Sequence, residues 1–371
     1  MPRKFCLAYL AHSFRSDWNN GNAHFLRGLM RSMLAMGHDV RLFEPCTAWS
    51  IEHLREEALG EAALRCFSDA YPELRITTYT GAQSCDLSFW RSSLRDCDVV
   101  ILHEWNPPEL AQILLELRDQ LGFCLLFHDT HHRASSSPEQ IRRFDIARFN
   151  GVITFGEALL NIYRSRFNIH NAWILHEAAD TTVFRPHPHA MKTDDVIWVG
   201  NWGDNERADE IRTYLLKPAA QLSQHTIAIY GVRYPENALR ELRDAGVHYR
   251  GYLPNLEAPA AYARARLTVH IPRRQYSSAM TGIPTIRVFE ALACGIPLIC
   301  SPWVDTEHLF REGDFLMVRD TDQMKSTMEY LLGDNGASEA HALRGLETIL
   351  SRHTCAHRAE ELTSICEELL K

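Results

Sequence analysis

The sequence predicts an α/β protein of two domains, each a parallel sheet covered by helices. Three observations carry this expectation. Short strands that are apolar throughout alternate with longer amphipathic stretches, the pattern of parallel sheets buried on both faces. The alternation breaks once, at "EAADTTVFRPHPHAMKTDD", where Pro186, Pro188 and a polar run read as a linker, and then starts again. The length, 371 residues, is long for one core and comfortable for two. The competing reading is one large doubly wound sheet.

In order along the chain, "FCLAYLA" reads as the first strand. The helix "HFLRGLMRSMLAMGHDV" follows, with Phe25, Leu26, Leu29, Met30, Met33 and Leu34 on one face and Gly37 placed to end it in a left-handed cap. "DVRLF", "DVVILHE", "FCLLFHD", "GVITFG" and "AWILH" are the next strands. After the linker come "DVIWVG", "HTIAIYG", "VHYRGYL", "LTVHIP", "PLICSP" and "FLMV". "CAHRAEELTSICEELLK" is a closing amphipathic helix. The expected domains are residues 1–186, residues 187–350 and a C-terminal helix, 351–371, that can cross back to the first domain.

Composition narrows the function class. Hydrophobic residues make up 46% and charged residues 23%, ordinary for a globular protein. A formal net charge of -8 argues against bulk nucleic-acid binding. No apolar run approaches the roughly 20 residues that span a bilayer. "MPRKFCLAYLAHSF" reads as a buried strand rather than a signal peptide. The ten cysteines form no C-x-x-C pair, and the expectation is reduced thiols in a cytoplasmic protein.

Ligands of open parallel sheets bind beyond the carboxyl ends of the strands, so the cleft between two such domains is the expected site. In "GIPTIRVFEALACGIPLIC", Glu290 stands inside an apolar run, and a buried carboxylate needs a partner. Gly282, Ile283, Pro284 and Thr285 open its helix, whose N-terminal amides suit phosphates. The expected partner of Glu290 is the pair of hydroxyls of a nucleotide ribose; the alternative is Arg287 or another neighbour on its helix. Arg207, Arg233, Arg273 and Arg274 lie at or soon after strand ends and suit a diphosphate. Gly200 and Gly203 permit close backbone approach, but no G-x-G-x-x-G fingerprint is present. In the first half, Gly21 and Asn22 open a helix, as a ligand cradle or a simple cap. His128 and Asp129 end one strand, and His103 and Glu104 a neighbouring one. These are the candidates for proton handling or sugar contact, with His128 expected at the cleft rim. His131 and His132 follow; a metal site is the competing reading of this histidine cluster, but the spacing fits no common zinc motif well, and no metal or cofactor is expected.

These stretches resemble the GT-B glycosyltransferases, especially retaining glycosyltransferase family four and its CgeB-like branch. "IWVGNW", "IAIYG", "YRGYLPNLEAPAAYARARLTVHIP", "GIPTIRVFEALACGIPLIC" and "RHTCAHRAEEL" carry the resemblance in the second half; "NGNAHFLRGLMRSMLAMGHDVRLFE" and "EAADTTVFRP" carry it earlier. It implies two Rossmann-like domains whose sheets face an interdomain cleft, the first on the acceptor side and the second on the donor side. It implies hexosyl transfer from a nucleotide-diphosphate sugar, a UDP-sugar favoured, to an unidentified acceptor. Glu290 matches the family's ribose-binding glutamate. Gly282 stands where the family has another glutamate that contacts the transferred sugar. Asn201 stands where an arginine is usual, and Arg207 lies near the usual lysine, with Arg273 or Arg274 able to compensate. Gly251, Tyr252 and Leu253 match a base-contacting loop, and His128 matches a histidine beside the donor sugar. The resemblance further implies front-face attack with retention, arginines doing the electrostatic work of a metal. A nucleotide-sugar epimerase of this fold and a non-catalytic nucleotide-sugar-binding protein are the rival readings. The oligomeric state is not legible.

Overall fold

The computed structural model describes residues 3–203 and 206–371. The chain forms two compact units: the residues up to Glu177 together with Cys355–Lys371, and Ala178–Thr354.

The first unit is built on seven parallel strands: β1 (Cys6–Leu10), β2 (Asp39–Pro45), β3 (Ile76–Tyr79), β4 (Val99–His103), β5 (Cys124–Asp129), β6 (Gly151–Thr154) and β7 (Ala172–Ile174). Their spatial order is β3-β2-β1-β4-β5-β6-β7. The order reverses between β1 and β4, the kind of switch point where ligands of open sheets bind. β1 and β4 are buried at every residue, because helices cover both faces. The helix Asn22–Ala35 turns its apolar stripe inward, and Gly37, at φ +85°, ends it in the left-handed turn. The C-terminal helix Cys355–Leu369 packs on that helix; Thr363 Oγ1 lies 3.2 Å from His38 Nε2. The polar pattern of β3 hides it in the sequence: Thr77 and Thr78 are exposed on a sheet edge.

The second unit holds six parallel strands: β8 (Asp194–Val199), β9 (Ile227–Tyr230), β10 (His248–Tyr249), β11 (Ala265–His270), β12 (Leu298–Cys300) and β13 (Leu316–Met317). Their order, β10-β9-β8-β11-β12-β13, reverses between β8 and β11. The core gathers Val196, Trp198, Ile229, Leu267 and Val269 with Ile211 and Leu215 from the overlying helices. The stretch "VHYRGYL" pairs only through His248 and Tyr249, both exposed at the sheet edge. Beyond them the chain turns, and the Gly231 N–H donates to the Gly251 carbonyl at 2.8 Å.

Candidate functional site

In the second unit the strand ends at the switch point collect charge. Arg207 is the central group. Its Nη2 donates to the Asn201 carbonyl just beyond β8 at 2.6 Å, and its Nη1 to the Ile271 carbonyl just beyond β11 at 3.2 Å. Its guanidinium lies 5.1 Å from the Trp198 ring centroid. Burial, then the charges of Arg273 and Arg287, pull its pKa down to about 10, so it stays protonated at neutral pH. Two carbonyls and a ring hold this cation; no carboxylate ion-pairs with it among the described residues.

His270, the last residue of β11, sits beside it. Its Nε2 lies 3.0 Å from Thr285 Oγ1, and burial pushes its pKa down to about 3, so it is neutral. Thr285 has the extended backbone of an N-cap for the helix Ile286–Ala293, yet its side chain makes no capping bond to that helix. Its hydroxyl is spent on His270 and not on the first-turn amides, of which the Val288 N–H donates to the Thr285 carbonyl at 3.0 Å. Ile283 and Pro284 are buried in the loop ahead of it.

Glu290 lies inside this helix, fully covered. Asn255 Nδ2 donates to its Oε1 at 2.8 Å, and Arg287 pairs with its Oε2. The protein itself therefore satisfies the carboxylate. Arg287, the alternative partner, pairs with the carboxylate here together with Asn255. Gly282 has φ +98°, and a Cβ there would lie 2.0 Å from Thr306 Oγ1. The glutamate that the resemblance places at this position has no room in this loop.

The other arginines differ. Arg273 forms an ion pair with Glu206, which also accepts from Gln275 Nε2 at 3.1 Å. Arg274 is half-exposed and bonds Glu210 at 2.9 Å. Arg233 is exposed, with φ +61°. Gly251, Tyr252 and Leu253 are partly buried beyond β10.

In the first unit, β1, β4 and β5 end in a buried polar network. His128 belongs to β5, opposite His103 in register, and is wholly buried. The expectation of a rim position is corrected: the strand runs on through Asp129, which carries His128 into the interior. Its Nδ1 lies 2.6 Å from the Tyr9 hydroxyl. Tyr9 is buried and has no other partner among the described residues, so its O–H donates and Nδ1 accepts. The ring proton then sits on Nε2, which has no hydrogen-bond partner among the described residues. Burial holds the His128 pKa down at about 3, so the ring is a neutral donor. Asp129 is committed: Oδ1 accepts from the His131 N–H at 3.0 Å and Oδ2 from the Tyr163 hydroxyl at 2.6 Å. Burial nonetheless pushes its pKa up to about 6. Asp129 thus holds the loop after β5 instead of facing a ligand. Glu104 pairs with Arg133, which stacks 4.0 Å over the Trp105 ring. His103 Nε2 lies 3.0 Å from Thr130 Oγ1, which also receives the Asn22 amide. Asn22 is therefore tied down at its helix start, next to Gly21, the partly buried N-cap.

Sequence reasoning missed several of these groups. Tyr9 and His270 are polar side chains inside apolar strands, which was the available signal. Glu44 was also missed; its Oε2 accepts from the Phe14 N–H at 2.6 Å and from the Arg15 N–H and Ser13 Oγ at 3.2 Å. With buried Arg27, which donates to the Phe14 and Arg15 carbonyls, it fixes the loop after β1. That loop carries His12, whose ring lies 5.1 Å from Trp49. Among the described residues, no group of three or more histidine, cysteine or carboxylate side chains is placed to hold a metal ion.

Solved structures share this architecture. That of Anabaena Alr3699/HepE in complex with UDP-glucose is 12% identical, covers 98% of this chain and 100% of its own, and has a TM-score of 0.69. A glycosyltransferase from Rickettsia africae ESF-5 is 9% identical over 100% of this chain and 99% of its own, with a TM-score of 0.68. The alpha-glucosyltransferase AGT in complex with UDP is 11% identical, covers 98% and 99%, and has a TM-score of 0.63. The chain has the GT-B fold. At these identities the GT-B likeness is one of architecture.

By sequence, residues 212–364 match the family described as "Glycosyl transferase-like". The match takes in most of the second GT-B unit, with Glu290, Arg273 and Arg274, and leaves out Arg207. The O-antigen chain mannosyltransferase B of Escherichia coli is 26% identical over 145 residues, 37% of this chain. That match spans 36% of the mannosyltransferase's length.

Proposed function

We propose that the chain is a glycosyltransferase that moves a sugar from a nucleotide-diphosphate donor, a UDP-sugar, to an acceptor hydroxyl. Arg207 carries this reading: a part-buried cation with no ion-paired carboxylate among the described residues, at the switch point of a GT-B donor-side sheet. The Thr285 helix start adds amide donors on the same strand-end cluster. The solved relatives that hold UDP or UDP-glucose support the choice of uridine.

Breaking the bond between anomeric carbon and phosphate oxygen leaves a nucleoside diphosphate. Arg207, Arg287 and the helix amides stabilise that charge where it develops. In this reading the leaving phosphate takes the acceptor's proton, so attack comes from the same face and configuration is retained. No protein nucleophile is needed, and the arginines supply the electrostatics a divalent metal would otherwise supply. Glu290 receives the ribose hydroxyls, with Asn255 and Arg287 fixing its orientation. Its cover must move for this to happen. Gly251–Leu253 contact the base. His128, whose cover must likewise move, donates its Nε2 proton to a sugar hydroxyl, and Asp129 positions the loop beside it. Among the described residues, no helix is long and apolar enough to cross a membrane. The ten free thiols support a cytoplasmic setting.

The test is direct. The full chain is incubated in excess EDTA with UDP-, GDP-, ADP- and dTDP-glucose in turn, with mixed glycan acceptors, and free nucleoside diphosphate is measured. UDP released from UDP-glucose above the protein-free rate supports the reading. Release from none of the four rejects it, and release only after manganese or magnesium is restored rejects the metal-independent mechanism.

A further inference from the structure

A second chemistry is laid out at the opposite edge of the first sheet, where strands begin. Cys6 opens β1, and Cys97 lies just ahead of β4. These strands are parallel neighbours with Leu7 opposite Val99, so Cys6 runs alongside Asp98 and Cys97 lies one residue before that position. Their Sγ atoms are 3.4 Å apart, and each residue is less than a tenth exposed. A bonded pair sits at about 2.05 Å, so the two sulfurs must approach further for the bond to form. The site is also held. Cys6 N–H donates to Asp98 Oδ2 at 2.8 Å. Arg41, on β2 beside β1, donates to the Ser93 carbonyl at 3.1 Å and the Arg95 carbonyl at 2.7 Å. That anchors a guanidinium against the segment leading to Cys97.

The two thiols are unequal. The hydrogen bond from Cys6 and the Arg41 charge lower the Cys97 thiol, while Cys6, as the donor, is raised. Cys66 and Cys85, by contrast, are exposed. Thiolate character and a resolving partner, not exposure alone, select the cysteine that oxidises reversibly.

We propose that Cys6 and Cys97 form a reversible disulfide site, closed by hydrogen peroxide and reopened by a thiol reductant. The Cys97 thiolate attacks the terminal peroxide oxygen; the O–O bond breaks, and protonation releases one water with Cys97 as sulfenic acid. Cys6 sulfur then attacks the Cys97 sulfur. The S–O bond breaks, the Cys6 proton leaves with the hydroxyl as a second water, and the S–S bond forms. Two electrons have passed from the thiols to the peroxide. Reduction by a dithiol reverses the step by thiol–disulfide exchange. The closed bond would tie the start of β1 to the approach of β4 and constrain the unfolded chain across all of β2 and β3.

The experiment uses the full chain with Cys66→Ser and Cys85→Ser, which removes the exposed thiols. Hydrogen peroxide is added, the sample is denatured and alkylated, and the digest is mapped by mass spectrometry. The expected result is a linked pair of peptides bearing Cys6 and Cys97, lighter by two hydrogen atoms than the separate thiols and separated again by dithiothreitol. In the further variant Cys6→Ser, dimedone should label Cys97; in Cys97→Ser, Cys6 should stay unlabelled. Full alkylation of both cysteines after peroxide, or irreversible oxidation of Cys97 with Cys6 left free, overturns the proposal. Labelling of Cys6 but not Cys97 overturns the order of attack.

Discussion

Asn255 Nδ2 donates to Glu290 Oε1 at 2.8 Å across 35 residues of sequence, and the acceptor is wholly buried. Together with Arg287, Asn255 makes Glu290 a structural group before any nucleotide arrives. Removing one member of a buried pair costs roughly 3–5 kcal/mol, because the other is left without its partner. Glu290→Ala should therefore lower the melting temperature as well as nucleotide affinity. Glu290→Gln keeps an acceptor for Asn255 and removes the charge. It should fold, and should bind UDP roughly tenfold more weakly, since hydrogen bonds to a charged group lose strength when the charge goes. Calorimetry on folded Glu290→Gln decides: unchanged UDP affinity removes the ribose role.

Arg207→Gln should weaken UDP binding by about 2 kcal/mol and uridine binding hardly at all, because the lost partner is the diphosphate. Comparing the two ligands in one titration series separates a phosphate contact from general damage. Equal losses for both would assign Arg207 a scaffold role.

Most of the sheet was legible because β1, β4, β5, β8 and β11 are short apolar runs, and a parallel sheet requires nothing subtler. β3 was not, since Thr77 and Thr78 face solvent and break the run. The candidate site was legible where chemistry-bearing residues follow strands, as Arg207 and Arg273 do. It was illegible where a partner comes from far along the chain. No local period links Asn255 to Glu290, Tyr9 to His128, or His270 to Thr285; only the folded register does.

Gly282→Glu would restore the residue that the resemblance places there. The backbone at φ +98° and the 2.0 Å approach to Thr306 Oγ1 both oppose a side chain. Strain of this kind costs roughly 1–3 kcal/mol. The variant should melt lower than the parent, and pairing it with Thr306→Gly should recover part of the loss. A Gly282→Glu protein as stable as the parent would show that the loop is free to rearrange.

His128→Ala should reduce kcat by roughly a hundredfold while UDP affinity holds, if Nε2 serves a sugar hydroxyl in the transition state. Tyr9→Phe is the discriminating companion. It removes the donor that sets the His128 tautomer and leaves the imidazole in place. Its kcat should fall too, with little change in KM. Near-normal turnover in both variants would leave His128 as a core histidine.

The last prediction concerns acid. His270 is held neutral, its pKa pushed by burial from the ordinary value of 6.5 down to about 3. The unfolded chain takes up a proton there below about pH 6.5, and the folded chain does not until about pH 3. The unfolded state thus binds more protons across that window, and stability falls as pH falls through it. His128 acts in the same sense, also with a pKa of about 3. Asp129 acts oppositely: burial lifts it from 3.8 to about 6, so its contribution is present at acid pH and is lost as pH rises through that range. The raw slope of melting temperature against pH therefore mixes both signs, and the difference between parent and variant is the measure. His270→Gln keeps a hydrogen-bonding side chain for Thr285 and removes the titration. Between pH 6.5 and 4 its melting temperature should fall less steeply than the parent's, the two curves converging toward the acid end from a parent that is more stable at neutral pH. Parallel curves would mean that His270 is protonated as readily in the fold as outside it, and its placement as a neutral group beside Arg207 would be wrong.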